Sequence, residues 1–211
     1  MLTAKKAANL QLQMRGLVIT EPVCNFNPCY IAGVDVSVRN GESRAAVVTV
    51  DIKGLLPVET ATAAMPVSFP YVPGLLAFRE APVILEAFSR LKSRPDILIV
   101  DGQGMAHPRR FGLACHLGVE LDIPSIGCAK SRLVGSHDEP KDIKGASTAL
   151  IYKNEVTGKV LRTRKGVKPV YISIGHRVDL ATAVDIIIRC VTRYRLPEPI
   201  RQAHKTAGEK A

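Results

Sequence analysis

The chain has 211 residues, 46% of them hydrophobic and 23% charged, and carries a formal net charge of +10. This length favours one globular domain, and no stretch reaches the ~18 consecutive apolar residues of a membrane helix or resembles a signal peptide. Five scattered cysteines without a CxxC pair argue against a disulfide framework and against a zinc site. We therefore expect a monomeric, cytoplasmic protein with one domain over residues 1–211, a flexible tail from about residue 200, and no membrane partner.

The first predicted elements are a helix at residues 5–15 and three strands at about 30–38, 44–52 and 56–64. Tight turns separate the strands, and the Asn-Gly pair at 40–41 is a strong signal for the first of them. Sequential strands joined in this way make an antiparallel meander.

Helices and strands alternate in the middle of the chain. A helix at 75–91, a short buried strand at 97–100, a helix at 110–121 and a strand at 125–128 imply right-handed parallel crossovers. Further strands are predicted at about 147–152, 160–164 and 170–174, and a last helix at 180–195. Three antiparallel strands continued by parallel strands predict an α/β protein of the ribonuclease H-like fold, with a mixed central sheet flanked by helices.

The positive charge is concentrated in the carboxyl-terminal part of the chain. Residues 126–211 carry 17 basic and 8 acidic side chains, whereas residues 1–125 carry 12 and 11. A one-sided basic surface suits a polyanion, because bound phosphates release their counterions. Charge that only serves solubility is the alternative interpretation. The distribution favours nucleic acid as the partner.

Three acidic side chains interrupt patterns that are otherwise apolar. Asp35 lies in the middle of a strand that reads as buried, where an ionised carboxylate is costly unless it is paired or bound to a metal. Glu80 shares the inward stripe of its helix. Asp101 follows the strand at 97–100, at the carboxyl end of a parallel strand, where open α/β sheets place their sites.

Each of these acids alone also has a structural explanation, such as an ion pair or a turn cap. The predicted fold, however, brings all three to one edge of the sheet. Clustered carboxylates repel one another, and divalent cations relieve that repulsion through oxygen coordination. The three acids together therefore favour two-metal phosphoryl transfer.

Three basic side chains are candidates for the same edge of the sheet. His107 follows Asp101 in the chain, Lys130 comes just after the strand at 125–128, and His176 comes after the last strand. Singly, each is as well explained as an ordinary loop residue. We expect all three near Asp101, because the strands before them are predicted to end there.

Four segments carry a resemblance to a known family. They are Pro-Tyr-Val-Pro-Gly at 70–74, Phe-Arg-Glu at 78–80, Asp-Gly-Gln-Gly-Met-Ala-His-Pro-Arg-Arg at 101–110 and Gly-Cys-Ala-Lys at 127–130. With them the chain resembles endonuclease V, the deoxyinosine-directed repair nuclease, from about residue 30 to residue 199. The family's enzymes hydrolyse the second phosphodiester bond 3′ to deoxyinosine and leave 3′-hydroxyl and 5′-phosphate ends.

The resemblance also implies a cofactor and site residues. It implies that Mg²⁺, or Mn²⁺ as a substitute, is bound, and that inosine-containing DNA is the partner. It leaves open which of the two histidines acts on the water. The implied metal ligands are Asp35, Glu80 and Asp101, and the implied active-site residues are these three acids with His107, Lys130 and His176.

A lesion pocket is expected beside these groups. Tyr71 lies between two prolines, so it has little conformational freedom, and the resemblance makes it a wedge that fills the gap left by an extruded base. A packed loop aromatic is the alternative. Extrusion costs less for a poorly paired base, which gives some selectivity, and glycines let a backbone approach a ligand closely. The expected lesion-binding residues are Tyr71, Pro70, Val72, Pro73, Leu76, Gly102, Gly104, Gly112 and Leu133.

Other functions compete with a DNA nuclease. An inosine-specific endoribonuclease would have the same active site and would differ in 2′-hydroxyl contacts. A non-catalytic module for damaged nucleic acid would be expected to carry substitutions at the acidic positions, whereas all three acids are intact. A sugar-kinase-like phosphotransferase would need a phosphate-binding loop, and the sequence has no Walker-type motif. The nuclease interpretation is preferred.

Overall fold

A mixed eight-stranded sheet forms the frame of the protein in a computed structural model that describes residues 2–24 and 26–209. The strands are β1 (Tyr30–Arg39), β2 (Glu42–Asp51), β3 (Pro57–Pro66), β4 (Ile97–Val100), β5 (Ser125–Ala129), β6 (Ser147–Tyr152), β7 (Glu155–Leu161) and β8 (Val170–His176). The helices are α1 (Ala4–Met14), α2 (Leu76–Ser89), α3 (Leu113–Leu121), α4 (Leu180–Arg189) and α5 (Glu198–Gly208), and a short 3₁₀ turn (Arg15–Leu17) follows α1.

The strand order across the sheet is β3-β2-β1-β4-β5-β8-β7-β6. The first three strands pair antiparallel, β1 continues into parallel pairs with β4 and then β5, and β8, β7 and β6 extend the other side in antiparallel fashion. This arrangement confirms the predicted ribonuclease H-like α/β fold. The antiparallel pairing of β8 with β5 decides the position of His176.

Two apolar layers cover the two faces of the sheet. On one face, Ile186 and Ile187 of α4 and Ile200 of α5 are buried against the sheet. On the other, Ile84 of α2 and Leu117 of α3 are buried. Among the described residues, no helix is both long enough and apolar enough to cross a bilayer.

Several predicted boundaries need correction. The third helix begins at Leu113 rather than 110, because Arg110 has a left-handed backbone (φ 58) that interrupts a helix. The fourth ends at Arg189 rather than 195, and the strand predicted at 160–164 is β7, which begins earlier, at Glu155.

The end of the chain is also more ordered than expected. Residues 198–208 form α5, whereas a flexible tail was expected from about 200; residues 210 and 211 lie outside the described part. Ile200, Ala203 and Ala207 are buried on one face of this helix, a spacing that docks it onto the sheet. The contact with β1 is so close that a Cβ atom on Gly33 would lie 2.0 Å from the carbonyl carbon of Pro199.

Candidate active site

Two aspartates meet where the parallel pairing of β1 with β4 ends, in the middle of β1 and directly after β4. The last paired residues are Val34 and Val100, and Asp35 and Asp101 follow them directly. The Asp101 amide donates to the Val34 carbonyl (3.1 Å), which continues the pairing by one residue. Both side chains are largely buried, at 13% exposure for Asp35 and 11% for Asp101. Parallel pairing is the physical reason that acids distant in sequence become neighbours.

A third side chain that could bind a metal ion comes from α5, and the sequence analysis did not identify it. The Nδ1 atom of His204 lies 2.6 Å from Oδ2 of Asp35. One donor atom each from Asp35, Asp101 and His204 lie within 4.8 Å of one another. The missed signal was the spacing of buried residues in α5, together with Pro199 in its first turn, a position that suits proline.

Glu80 lies beside these acids on α2, outside the group of donors within 4.8 Å. Burial, strengthened by the Asp35 and Asp101 carboxylates, raises the pKa of Glu80 to about 8 from an ordinary 4.5. Burial and Asp35 also raise the pKa of Asp101, although Lys130 opposes that shift. The site therefore concentrates more negative charge than a low-dielectric environment accepts without a cation.

Lys130 supplies part of the compensating charge. It follows β5, the parallel neighbour of β4, and its ammonium forms an ion pair with the Asp101 carboxylate. The lysine side chain remains 40% exposed, so the ammonium faces both the acids and the solvent. In this position it can also face an approaching phosphate.

The donor set fits a hard divalent cation. Carboxylate oxygens are the ligands of Mg²⁺ and Mn²⁺, and an imidazole nitrogen is accepted by first-row transition metals. Two largely buried carboxylates and one imidazole, with the Glu80 carboxyl group beside them, match that chemistry. No thiolate lies in the group, which argues against a structural zinc site of the cysteine type.

A cavity of about 320 Å³ opens beside the acids, within the range of small-molecule sites. Tyr71, which is 69% exposed, and Leu133 lie among its lining residues. Asp101 of the acidic cluster also lines the cavity, as does Lys130, which pairs with Asp101. Most of the predicted lesion-binding residues line it, namely Tyr71, Val72, Pro73, Leu76, Gly102, Gly112 and Leu133.

Two of the predicted lesion-binding residues, Pro70 and Gly104, do not line the cavity. Gly104 and Gly112 have packing roles instead. Pro70 is exposed at the start of its loop. A Cβ on Gly104 would lie 2.0 Å from the Ile174 carbonyl oxygen, and one on Gly112 would lie 2.2 Å from that of Gln103. These glycines are needed for close packing within the protein. At Gly102 a Cβ would meet only Leu113, at 3.6 Å, so this position has room for a ligand.

His107 lies in the cavity wall rather than in the donor group. Its Nδ1 accepts a hydrogen bond from the Arg109 amide (3.2 Å), so the proton is on Nε2, which donates to the Gly74 carbonyl (2.9 Å). Burial and the nearby Arg109 charge lower the pKa of His107 to about 4. The ring is therefore neutral at physiological pH, and both of its nitrogens are engaged within the protein.

The predicted position of His176 is wrong. Because β8 runs antiparallel to β5, His176 pairs with Ser125, the first residue of β5, whereas Lys130 follows the last. Its Nδ1 accepts from the Ile19 amide (3.2 Å), and its Nε2 lies 3.4 Å from an Asp122 oxygen. The buried ring holds the segment after α1 in place, at the opposite end of the strands from Asp101.

Comparison with known proteins connects this site to a family. The family model described as endonuclease V matches residues 12–205. The chain belongs to the endonuclease V family. It is 49% identical over 211 residues to endonuclease V of Trichormus variabilis, over 99% of this chain and 96% of that protein. The resemblance drawn from the four motifs is thereby confirmed, and the chain is a hydrolase of the nuclease class.

Solved structures of endonuclease V agree with this assignment. The enzyme from Streptomyces avermitilis superimposes with a TM-score of 0.93 at 42% identity, over 98% of this chain and 92% of that one. A variant of endonuclease V from Ciona intestinalis gives 0.86 at 29% identity, over 98% and 97%. The Ciona protein was crystallised with a 23-mer DNA in which a ribo-adenosine follows an inosine.

Proposed function

We propose that this endonuclease V recognises deoxyinosine, the product of adenine deamination, in DNA and hydrolyses the second phosphodiester bond on its 3′ side. The reaction leaves 3′-hydroxyl and 5′-phosphate ends and serves DNA repair in the cytoplasm. The cofactor is Mg²⁺, with Mn²⁺ as a substitute, held by Asp35, Asp101 and His204 with Glu80 beside them. The working form is a monomer.

One observation carries this proposal: Asp101 belongs both to the group of metal-binding candidates and to the cavity lining, and its ion-pair partner Lys130 also lines the cavity. A nuclease for a modified base needs a pocket for the base and a charged centre for the phosphate a short distance away along the strand. The cavity provides the pocket, and Tyr71 stands exposed among its lining residues. The excess positive charge after residue 125 supports binding of the phosphate backbone.

The protein groups divide the work of recognition and hydrolysis. A bound divalent cation would stabilise negative charge on the phosphoryl oxygens. Lys130 adds a fixed positive charge at the same place, where charge develops during hydrolysis. Tyr71 fills the space that the extruded base leaves in the stack. His176 has no part in this scheme, and His107 acts by holding the loop that carries Tyr71.

Recognition of inosine follows from the edge of the base. Inosine lacks the exocyclic amine of guanine and carries O6 where adenine carries an amine. Backbone groups in the cavity wall, with Gly102 as the residue of closest approach, read O6 and leave no room for the amine. Extrusion is also cheaper for a weakly paired base, which adds selectivity.

The test uses matched end-labelled strands that contain one inosine, incubated with Mg²⁺ or with EDTA. We expect a nick one nucleotide beyond inosine in Mg²⁺ alone, no nick with Asp35→Asn, and normal nicking with Asp185→Asn, a control acid exposed on α4. Tight binding without a nick under any metal would overturn the catalytic proposal. Nicking by Asp35→Asn at the rate of the wild type would overturn the assigned metal site.

An inosine-specific ribonuclease is the second candidate, and the ribo-adenosine in the Ciona complex favours including it. Three strands separate the two candidates: all-DNA, all-RNA, and DNA with one ribonucleotide directly after inosine. A repair enzyme for DNA nicks the all-DNA strand at least as fast as the other two. Preference for the RNA strand by tenfold or more would replace DNA repair with RNA processing.

A further inference from the structure

We propose that Gln11 and Arg109 form a partly buried bracket that positions the 70–74 loop, and with it Tyr71, for base extrusion. This inference rests on the proposed function and adds two positioning residues to it. Gln11 projects from α1, and its Oε1 accepts from Nε of Arg109 at 2.5 Å. Arg109 in turn donates through Nη2 to the carbonyl of Gly74 at 2.6 Å. Three separate chain segments are therefore joined by two hydrogen bonds.

Both ends of the bracket are fixed. Gln11 is 1% exposed, and its amide nitrogen donates to the Phe111 carbonyl (2.9 Å), so both halves of the side chain are used. At the other end, the Gly74 carbonyl accepts from His107 as well as from Arg109. Planar guanidinium donors in a fixed fork make such a double contact directional. The bracket therefore holds the carbonyl of Gly74 in one place.

The position of the Gly74 carbonyl is important because Gly74 connects the loop that carries Tyr71 to helix α2. It has a left-handed backbone (φ +77), which glycine adopts readily. Tyr71 lies three residues before it, and α2, which carries Glu80, begins two residues after it. Hydrogen bonds to Gly74 therefore help to orient Tyr71, although they make no contact with the acidic residues.

The functional consequence concerns duplex substrates specifically. In a duplex, inosine must leave the stack, and the enzyme must supply the energy for unstacking. A tyrosine held in position loses little freedom on insertion, whereas one on a loose loop must be ordered at that moment. In a single strand the base is already free. Loss of the bracket should therefore lower activity on duplex DNA and leave activity on single-stranded DNA nearly unchanged.

Gln11→Met tests the bracket, because methionine keeps the volume of glutamine and removes both hydrogen bonds. Gln13→Met on the same helix is the matched control, since Gln13 is exposed. The measurement is kcat/KM for nicking of the same inosine strand alone and in a duplex, with Mg²⁺, alongside Tm. We expect the duplex-to-single-strand ratio to fall about tenfold in Gln11→Met, as for a lost hydrogen bond to a charged group, and to stay unchanged in Gln13→Met.

Arg109→Lys is the second variant, used if Gln11→Met fails to fold. Lysine keeps the charge but lacks the fork that reaches Gln11 and Gly74 together, so the same selective loss is expected. Equal losses on both substrates, or no loss, would overturn the bracket and leave a purely structural contact. If the wild type nicks neither inosine substrate, the proposed function itself is overturned, which is a different result.

Discussion

Replacing Glu80 with glutamine should stabilise the metal-free protein at neutral pH while it abolishes nicking. Burial and the neighbouring carboxylates raise the pKa of Glu80 to about 8, against an ordinary value of 4.5. A folded-state pKa above the unfolded one means that the stability is complete below pH 4.5 and is lost as the pH rises through 8. Glutamine keeps the shape of the side chain and removes the charge.

Proton linkage gives the size of this effect. Each pH unit between the unfolded and folded pKa values costs about 1.4 kcal/mol. At about pH 7 the wild type has therefore lost up to about 3 kcal/mol of unfolding free energy, and at about pH 9 up to about 5 kcal/mol. For a chain of this length, 3 kcal/mol corresponds to a difference in Tm of roughly 6–12 °C.

Urea unfolding in EDTA at about pH 4.5, pH 7 and pH 9 measures the difference. The Glu80→Gln and wild-type curves should coincide at the lowest pH and separate as the pH rises. Glu86→Gln is the control, because Glu86 is half exposed on the same helix and pairs with Arg90. Excess Mg²⁺ should stabilise the wild type more than the Glu80→Gln variant, because ligands stabilise the state that binds them. A constant difference between the two proteins at all three pH values would refute the reasoning.

Three further predictions concern other residues of the site. His204→Ala should lower kcat at least about tenfold and raise the Mn²⁺ concentration needed for half-maximal nicking, whereas His137→Ala, at a half-buried histidine that contacts Tyr171 and lies outside the group of metal-binding candidates, should do neither. The pKa of His107 is lowered to about 4, so its contribution to stability is present above pH 6.5 and is lost as the pH falls; His107→Gln should therefore lose up to about 3 kcal/mol less than the wild type between those pH values in urea titrations. Gly33→Ala should lower the free energy of unfolding by about 1–3 kcal/mol and reduce nicking, because the added Cβ meets α5. Gly16→Ala is the control, because a Cβ at Gly16 would have no atom within 4 Å. Equal Tm values for the two variants would contradict this account.

The sequence by itself determined the local structure and the family. The strand at 97–100 was predicted with its observed bounds, because a short run of branched apolar residues between turn signals has few other interpretations. Asp35 stood out because a carboxylate within such a run needs a special partner. The segments at 70–74 and 101–110 identified endonuclease V because their residue order is far more specific than any periodic pattern.

The tertiary structure alone decided which distant residues meet. His204 and Asp35 are 169 residues apart, and Gln11 and Arg109 are 98 apart, so no local pattern connects them. His176 was misplaced because the direction of β8 depends on how the whole sheet pairs. Periodicity records which face of an element is buried, but not which neighbour covers it. That choice follows from packing all elements at once, and it turned a polar carboxyl-terminal segment into a helix that carries a metal-site histidine.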